Sequence, residues 1–230
     1  MTMSSTTTTY SKPKAFAWSY SKLKNFRTCP KRHFHYEIKK DVREPESDQL
    51  LWGNTLHDAF AKYVDKDKPL PETMTQYQPL LDRMKAMPGD TFVEQKYAIT
   101  KDFGPTEFFA RDAWFRSIGD IVKVYGEFAY CGDYKTGKVV EDSEQLSLMA
   151  ACLFAHFPQV NAVRTEFLWL KDDAITRATF RREEMAVVWN AILPDVRKYE
   201  MAVNNTEFPA KPGYLCRSWC SVKSCPYNGK

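Results

Sequence analysis

The feature that most constrains the fold is a pair of alternating apolar and polar segments separated by one glycine. Residues 113–125 and 127–134 each alternate with the period of a β-strand, and Gly126 lies between them. A two-residue period places successive side chains on opposite faces of a sheet, and a glycine between two such segments favours a tight turn. The chain therefore predicts a β-hairpin at its centre, around which the other elements must pack.

Helical periodicity dominates the segments on both sides of this hairpin. Apolar residues recur at helical spacing in residues 19–40, 49–64, 78–87, 143–157 and 183–203. Further strand patterns cover residues 91–100, 160–170 and 174–181. This order predicts an α/β fold in which helices flank a mixed central sheet. The Ser/Thr-rich residues 1–14 predict a disordered tail, and residues 15–230 predict a single domain.

The overall charge permits a polyanionic partner without requiring one. The 230 residues carry 33 Lys and Arg against 29 Asp and Glu, a formal net charge of +4. The hydrophobic share of 43% and the aromatic share of 14% are typical of a globular chain. We find no apolar run of about 18 residues and no signal-peptide core. We therefore expect a cytoplasmic protein without a membrane span.

Two aspartates and a lysine in the predicted hairpin form a candidate metal-dependent site. Asp120 lies within the first strand and Asp133 near the end of the second, so a hairpin can bring both to one edge of a sheet. Two carboxylates near a common point form an oxygen site for Mg²⁺ or Mn²⁺. Lys135 follows Asp133 by two residues and therefore faces the same side. These groups suit phosphodiester hydrolysis, and a surface hairpin with an ordinary Asp–Lys pair is the alternative.

Five pieces in a fixed order make residues 19–226 resemble the RecB-like branch of the PD-(D/E)XK nucleases. The pieces are the S-x-S-x-L and Cys-Pro segment Ser19–Phe34, the G-x-x-x-H segment Gly53–His57, Gly119-Asp120 with Asp133-x-Lys135, the helix start Gln145–Met149, and a C-terminal cysteine cluster. Met149 stands where the family's Q-x-x-x-Y motif has tyrosine. The residues before Gly119, Ala113-Trp114-Phe115-Arg116, look most like phage-encoded exonucleases of this superfamily.

The resemblance implies a restriction-endonuclease-like core and a Mg²⁺- or Mn²⁺-dependent DNA exonuclease. The implied metal ligands are His57, Asp120, Asp133 and the backbone carbonyl of Tyr134. The implied catalytic residues are Asp120, Asp133, Lys135 and Gln145, with Glu94 as a second-layer group. DNA contact is expected at Arg116 and Lys138, and the basic stretch 22–40 is a further candidate.

Other functions remain open at this stage. An endonuclease, a catalytically inactive DNA-binding scaffold with the same fold, and a zinc-binding module are the alternatives. The resemblance places the protein in DNA end processing, recombination or phage DNA metabolism, in the cytoplasm of a bacterial or phage-infected cell. Recombination or replication proteins are candidate partners, and the oligomeric state is open.

Four of the six cysteines predict a second metal site. Cys29 lies near the start of the chain, and Cys216, Cys220 and Cys225 crowd its end. In the resembled Cas4-like and AddB-like nucleases such cysteines hold a [4Fe–4S] cluster, although the x3–x4 spacing here departs from the family's C-x2-C-x5-C. Four thiolates also bind Zn²⁺, so cluster, zinc and unmetallated thiols all remain open. A bound metal would clip the tail at residues 214–226 to Cys29. The other two cysteines, Cys131 and Cys152, are expected in the core.

Overall fold

A six-stranded sheet in the order β2-β1-β3-β4-β5-β6 forms the centre of the computed structural model, which describes residues 15–43, 47–140 and 143–230. The strands are β1 (Asp90–Ile99), β2 (Pro105–Thr106), β3 (Phe115–Tyr125), β4 (Phe128–Lys135), β5 (Ala162–Trp169) and β6 (Ala174–Arg181). Neighbouring strands are antiparallel except β4 and β5, which are parallel. The predicted mixed sheet is therefore confirmed. The tail predicted at residues 1–14 lies outside the described residues.

Helices cover both faces of this sheet. They are α1 (Tyr20–Thr28), α2 (Pro30–His33), α3 (Asp48–Lys66), α4 (Gln78–Lys85), α5 (Ser143–His156), α6 (Met185–Asn205) and the single turn α7 (Leu215–Ser218). A π-helical turn, Phe34–Ile38, extends α2, and 3-10 turns precede α4 (Glu72–Tyr77) and α6 (Arg182–Glu184). Within the described ranges, none of the helices has the length and hydropathy needed to cross a bilayer.

Local signals in the sequence set several helix boundaries. The Ser47 hydroxyl accepts a hydrogen bond from the Leu50 amide at 3.2 Å, which caps the start of α3. The same helix ends at Asp67, whose φ of 52° is left-handed. Pro30 occupies the first turn of α2, where its missing N–H costs no hydrogen bond. Pro194 lies inside α6, which nevertheless continues as one helix.

Two apolar cores form, one on each face of the sheet. The larger packs α1, α5 and α6 against one face and buries Trp18, Phe115 and Phe167. It also contains Cys131 and Cys152, as predicted. The smaller packs α3 and α4 against the other face around Leu56, Phe60 and Leu81. Because α1 and α3 lie on opposite faces, residues near the shared ends of β1, β3 and β4 can receive side chains from both helical layers.

A buried histidine in the larger core should make stability depend on pH. His33 is 1% exposed, and its Nε2 lies 2.7 Å from the Tyr199 hydroxyl. Burial, assisted by the charges of Lys22 and Arg32, lowers the pKa of His33 to about 4. The unfolded chain binds a proton at this residue below about pH 6.5, whereas the folded protein does not. We expect the unfolding free energy to fall by about 2–3 kcal/mol through this group between pH 7 and pH 4.5.

Urea unfolding of the wild type and His33→Gln at the two pH values measures this effect. Glutamine can keep a hydrogen bond to Tyr199 but does not titrate. The wild type should therefore lose about 2–3 kcal/mol more than the variant on acidification. An identical pH dependence in both proteins would show that His33 protonates equally well in the folded state.

Candidate metal centre

Three carboxylates lie side by side on the strands β1, β3 and β4. The pairs Val93–Ile121 and Gln95–Gly119 enclose Glu94 and Asp120, which stand opposite each other. Pairing of β3 with β4 ends at Ile121–Gly132, directly before Asp120 and Asp133. The strand register therefore aligns Glu94, Asp120 and Asp133 in a row across the sheet. The two aspartates therefore lie next to each other, on the two central strands of the sheet and not at a sheet edge.

Side chains normally alternate between the two faces of a sheet, and this alternation is interrupted once on β1 and once on β3, beside this row of carboxylates. Phe92 and Tyr97 pack in the same core although they are five residues apart, and regular alternation would put them on opposite faces. Phe115 and Val122, seven apart on β3, also share that core. Glu94 has a φ of 49°, in the left-handed region that non-glycine residues rarely adopt. These interruptions let the two strands direct neighbouring acidic side chains toward α3.

His57 of α3 faces these carboxylates. Its Nδ1 lies 3.3 Å from Asp120 Oδ1 and 3.7 Å from Glu94 Oε1. Its Nε2 lies 3.1 Å from the carbonyl oxygen of Tyr134. Since a carbonyl can only accept, Nε2 carries the proton and donates it, so Nδ1 is the nitrogen that faces the two acids. The hydrogen bonds to Asp120 and Glu94 raise the pKa of His57 to about 10 against the opposing effect of its burial.

The three side chains of His57, Glu94 and Asp120 offer ligand atoms that all lie within 4.8 Å of one another. The two carboxylate oxygens suit Mg²⁺ or Mn²⁺, and the imidazole nitrogen favours the transition metal Mn²⁺ of these two. Asp120 is 6% exposed, and its other oxygen accepts a hydrogen bond from the Tyr134 amide at 2.7 Å. This bond fixes the carboxylate, so the ligand geometry does not depend on a mobile side chain.

The predicted ligand set and the close trio share His57 and Asp120, whereas the trio contains Glu94 and does not contain Asp133 or the Tyr134 carbonyl. Asp133 is not in the close trio, and its Oδ2 lies 2.5 Å from the ammonium of Lys135. Burial, and then the charge of Asp120, raise the pKa of Asp133 to about 6, while Lys135 acts in the opposite direction. Glu94, expected from the sequence only as a second-layer group, occupies the place beside His57. The carbonyl oxygen of Tyr134, also expected as a ligand, receives the His57 hydrogen bond instead.

A glycine permits the close approach of α3 that brings His57 to the strands. A Cβ atom on Gly53 would lie 3.3 Å from the Thr136 hydroxyl oxygen, a contact tighter than most side chains accept. Gly53 precedes His57 by four residues, which places both on one face of the helix. The G-x-x-x-H pattern therefore has a physical reason. The small residue lets the helix contact the end of β4, and the histidine one turn later reaches the acids.

The centre opens onto two cavities on opposite sides. The first, of about 510 Å³, lies on the α3 side and is lined by His57, Glu94 and Thr136 among others. The second, of about 630 Å³, lies on the α1 side and is lined by Lys135 and also by the predicted residues Gln145 and Arg116. Lys138, the other predicted DNA contact, is exposed in the loop that follows β4.

The basic stretch 22–40 divides between structural and surface roles. The Arg27 guanidinium contacts Glu144 of α5 and donates to Asp195 of α6 at 2.8 Å. It therefore ties three helices together. Lys39 pairs with Asp41 at 2.6 Å. Lys22 and Lys24 line the 630 Å³ cavity, so only this early part of the stretch lies beside the centre.

The four predicted metal-binding cysteines line one small cavity. Cys29, Cys216, Cys220 and Cys225 surround it together with Val222 and Tyr227. The Lys211 amide lies 3.4 Å from the Cys29 sulfur, which joins the C-terminal segment to the start of α2. Throughout the described ranges, the His57 trio is the one group of three such ligand atoms within 4.8 Å. The cysteine sulfurs are thus brought to a common space but are more widely separated.

Comparison with known proteins agrees with this architecture. Residues 17–227 match the profile of the family described as the PD-(D/E)XK nuclease superfamily. No curated protein matches the chain. A proposed exonuclease from Eubacterium rectale has a similar solved structure, with a TM-score of 0.53 and 13% identity over 88% of this chain and 86% of that one. The structure of the protein SSO0001 has a TM-score of 0.48 and 10% identity over 96% of this chain and 90% of its own. At these identities the likeness concerns the fold alone.

Proposed function

This chain belongs to the PD-(D/E)XK nuclease superfamily, and from that membership we propose that it is a Mg²⁺- or Mn²⁺-dependent DNA exonuclease. The observation that carries the proposal is the close trio of His57, Glu94 and Asp120 beside the Asp133–Lys135 pair. A nuclease that had lost its activity would be free to lose such residues. Here a complete set of acids, a histidine and a lysine lies between two cavities.

Each side chain has a chemical task in phosphodiester hydrolysis. A bound Mg²⁺ or Mn²⁺ supplies Lewis-acid stabilisation of the phosphate charge and lowers the pKa of water. His57, Glu94 and Asp120 would hold the ion, and Asp133 lies next in the same row. The Lys135 ammonium, which Asp133 holds in place, donates hydrogen bonds to the attacking water or to the scissile phosphate. Gln145, at the wall of the 630 Å³ cavity, would hold the neighbouring part of the strand.

The sequence pieces support an exonuclease over the alternatives, because they resemble RecB-like and phage-encoded exonucleases. The similar structure from Eubacterium rectale, itself a proposed exonuclease, supports the shared fold. We propose that the chain acts on DNA ends in recombination, replication or phage DNA processing, in the cytoplasm of a bacterial or phage-infected cell. An endonuclease with the same centre is the second candidate, since both activities use the same chemistry.

Nuclease assays on end-labelled linear DNA and on circular DNA, with Mg²⁺ or Mn²⁺, test this function. We expect the wild type to degrade linear substrates and to spare circular ones. Lys135→Ala should lower the rate of DNA cleavage by about a hundred- to a thousandfold, the usual effect in enzymes of removing one hydrogen-bond donor that stabilises the charge of the transition state. Lys171→Ala, the same change at an exposed lysine in the β5–β6 turn, serves as the control and should leave the rate unchanged.

Each alternative has its own signature in this assay. Degradation of circular DNA would identify an endonuclease. A protein that binds DNA but cleaves no substrate with either metal would be the inactive scaffold. Retention of activity in Lys135→Ala would remove this lysine from the mechanism.

We also propose that the cysteine cavity holds a metal. The convergence of Cys29 with the three C-terminal thiols supports binding of either a [4Fe–4S] cluster or Zn²⁺. A tetrahedral zinc with Zn–S bonds of about 2.3 Å would place its sulfurs about 3.8 Å apart. These sulfurs would therefore have to draw together around a zinc ion. Either group would close a loop from residue 29 to residue 216 and thereby restrict the unfolded chain.

Elemental analysis and visible spectroscopy of anaerobically purified protein test this second site. We expect the wild type to contain either iron with acid-labile sulfide or zinc. The Cys220→Ser variant should have lost this metal. Loss of the clip should lower the unfolding free energy by about 5 kcal/mol, the scale for opening so long a loop. Cys152→Ala, a change at a buried core thiol, should retain the metal. Equal metal content in Cys220→Ser and the wild type would contradict the assignment.

A further inference from the structure

The cavity on the α1 side has the charge and shape of a binding site for one nucleic-acid strand. It extends from Lys135 and Gln145 to the first turn of α1 and measures about 630 Å³. Four of its lining residues are basic, namely Lys22, Lys24, Arg116 and Lys135. Among the described residues, none that lines this cavity is acidic, whereas the cavity on the α3 side contains Asp58 and Glu94. The phosphate backbone of a bound strand would therefore find its positive partners on the α1 side.

Two adjacent phenylalanines project from the loop between β2 and β3 at the rim of this cavity. Phe108 lines the cavity, and Phe109 is 79% exposed. Their ring centroids are 5.0 Å apart at an interplanar angle of 85°. A single exposed ring is ordinary on a protein surface, but two adjacent rings beside a basic cavity form a small aromatic surface next to the candidate centre.

The loop holds these rings in place before any ligand binds. The Ala110 amide donates to the Glu107 carbonyl at 3.0 Å, and the Thr106 hydroxyl donates to Asp112 at 2.8 Å. A ring on such a turn loses little conformational freedom when a flat partner stacks on it. The loop therefore presents a preorganised aromatic surface.

Cations flank the same rings. The Lys96 ammonium lies 5.8 Å from the Phe108 centroid and 5.6 Å from the Phe109 centroid. The Arg116 guanidinium lies 5.5 Å from the Phe108 centroid. An alternation of aromatic rings and basic groups matches the alternation of bases and phosphates along a strand. Inside a duplex the base faces are covered by their neighbours, so an exposed ring can stack on unpaired bases along a whole strand but on a duplex only at its two terminal pairs.

We propose that this cavity binds single-stranded DNA on the Lys135 side of the centre, with Phe109 stacking on an unpaired base and Arg116 contacting the adjacent phosphate. The inference rests on the proposed nuclease function and narrows its substrate class to unpaired strands, including the frayed ends of duplexes. The cavity leads the strand directly to Lys135. The scissile phosphate would lie beside the row of carboxylates, and the base that stacks on Phe109 would belong to a nucleotide on one side of that phosphate.

Fluorescence anisotropy on the full chain tests the proposal without requiring cleavage. The protein carries Asp120→Asn to prevent hydrolysis, and the probes are a labelled single strand of about 16 nucleotides and a blunt duplex of equal length, at one fixed salt concentration. Phe109→Ala should weaken single-strand binding by about 5- to 100-fold, the range for loss of one stacking contact. Duplex binding should change by less than about twofold.

Matched variants separate stacking from general damage. Phe109→Tyr keeps a ring and should bind the single strand as well as the parent protein does. Tyr125→Ala removes another exposed aromatic ring at the far end of β3 and should have no effect. Arg116→Gln should weaken binding of both probes and reduce the salt dependence, because it removes a phosphate contact and no base contact.

Three results would overturn the inference. They are unchanged single-strand binding by Phe109→Ala, equal loss for both probes, and tighter binding of an RNA strand of the same sequence than of the DNA strand. A different result would contradict the proposed nuclease function, namely that the protein with native Asp120 cleaves no DNA. Selective loss of single-strand binding in Phe109→Ala would support the binding site even then.

Discussion

Replacement of Asp120 by asparagine is expected to lower the rate of DNA hydrolysis by about a thousandfold or more, the equivalent of about 4 kcal/mol of transition-state stabilisation. The carboxylate is buried and stands between His57 and the Tyr134 amide. Asparagine keeps an oxygen that can accept from that amide, so the fold should persist while one charged ligand is lost. Single-turnover cleavage of linear DNA measures the rate, and thermal unfolding checks the fold.

A comparison of Mn²⁺ affinities decides which acids hold the ion. Asp120→Asn and Glu94→Gln should each weaken Mn²⁺ binding by at least about 10- to 100-fold, since losses of this size follow even indirect changes near a metal. Asp133→Asn should lower the rate of cleavage more than it lowers Mn²⁺ affinity, because Asp133 contacts Lys135. If Asp133→Asn weakens Mn²⁺ binding as much as Asp120→Asn does while Glu94→Gln leaves it unchanged, the ion lies between the two aspartates.

Truncation of Phe60 to alanine is expected to lower the unfolding free energy by about 3–5 kcal/mol. The ring is fully buried in the smaller core and meets Tyr134 edge to face, with centroids 4.9 Å apart. It also contacts Tyr77 at 5.4 Å. The substitution removes buried apolar surface and leaves a cavity. It also removes a packing contact of Tyr134, whose backbone contacts both His57 and Asp120.

Urea unfolding of Phe60→Ala, with Val187→Ala as the control, measures this loss. Val187 is 72% exposed on α6, so its truncation should change stability by less than about 0.5 kcal/mol. Phe60→Leu, which fills much of the volume, should lie between the two. A loss below about 1 kcal/mol in Phe60→Ala would show that the smaller core adds little to the stability of the domain.

Most of the fold could be predicted because its elements are long and strongly periodic. The hairpin of β3 and β4, the long helices and the pair β5–β6 all appear at their expected places. Elements with too few residues to show a period were not predicted. Strand β2 has two residues and helix α7 has four. Such elements depend on tertiary contacts, which a local pattern does not contain.

The candidate site was predictable where neighbouring residues share a strand. The Asp133–Lys135 contact follows from a spacing of two. The contact of Glu94 with His57 does not follow from any local pattern, because it depends on the interrupted alternation on β1 and on the close approach of α3 at Gly53. A left-handed residue in the middle of a strand has no signal in the sequence when that residue is a glutamate.

The one parallel pair of the sheet has a consequence for the order of events during protein synthesis. Strand β4, which carries Asp133 and Lys135, has β5 as its neighbour on one side, and the chain must complete α5 before β5 exists. A ribosome-bound chain that ends before Ala162 leaves the lysine-bearing strand at an open edge, with the larger core unfinished. The strand environment of Asp133 and Lys135 is therefore completed only late in translation, so the candidate metal centre cannot form before α5 and β5 have been synthesised.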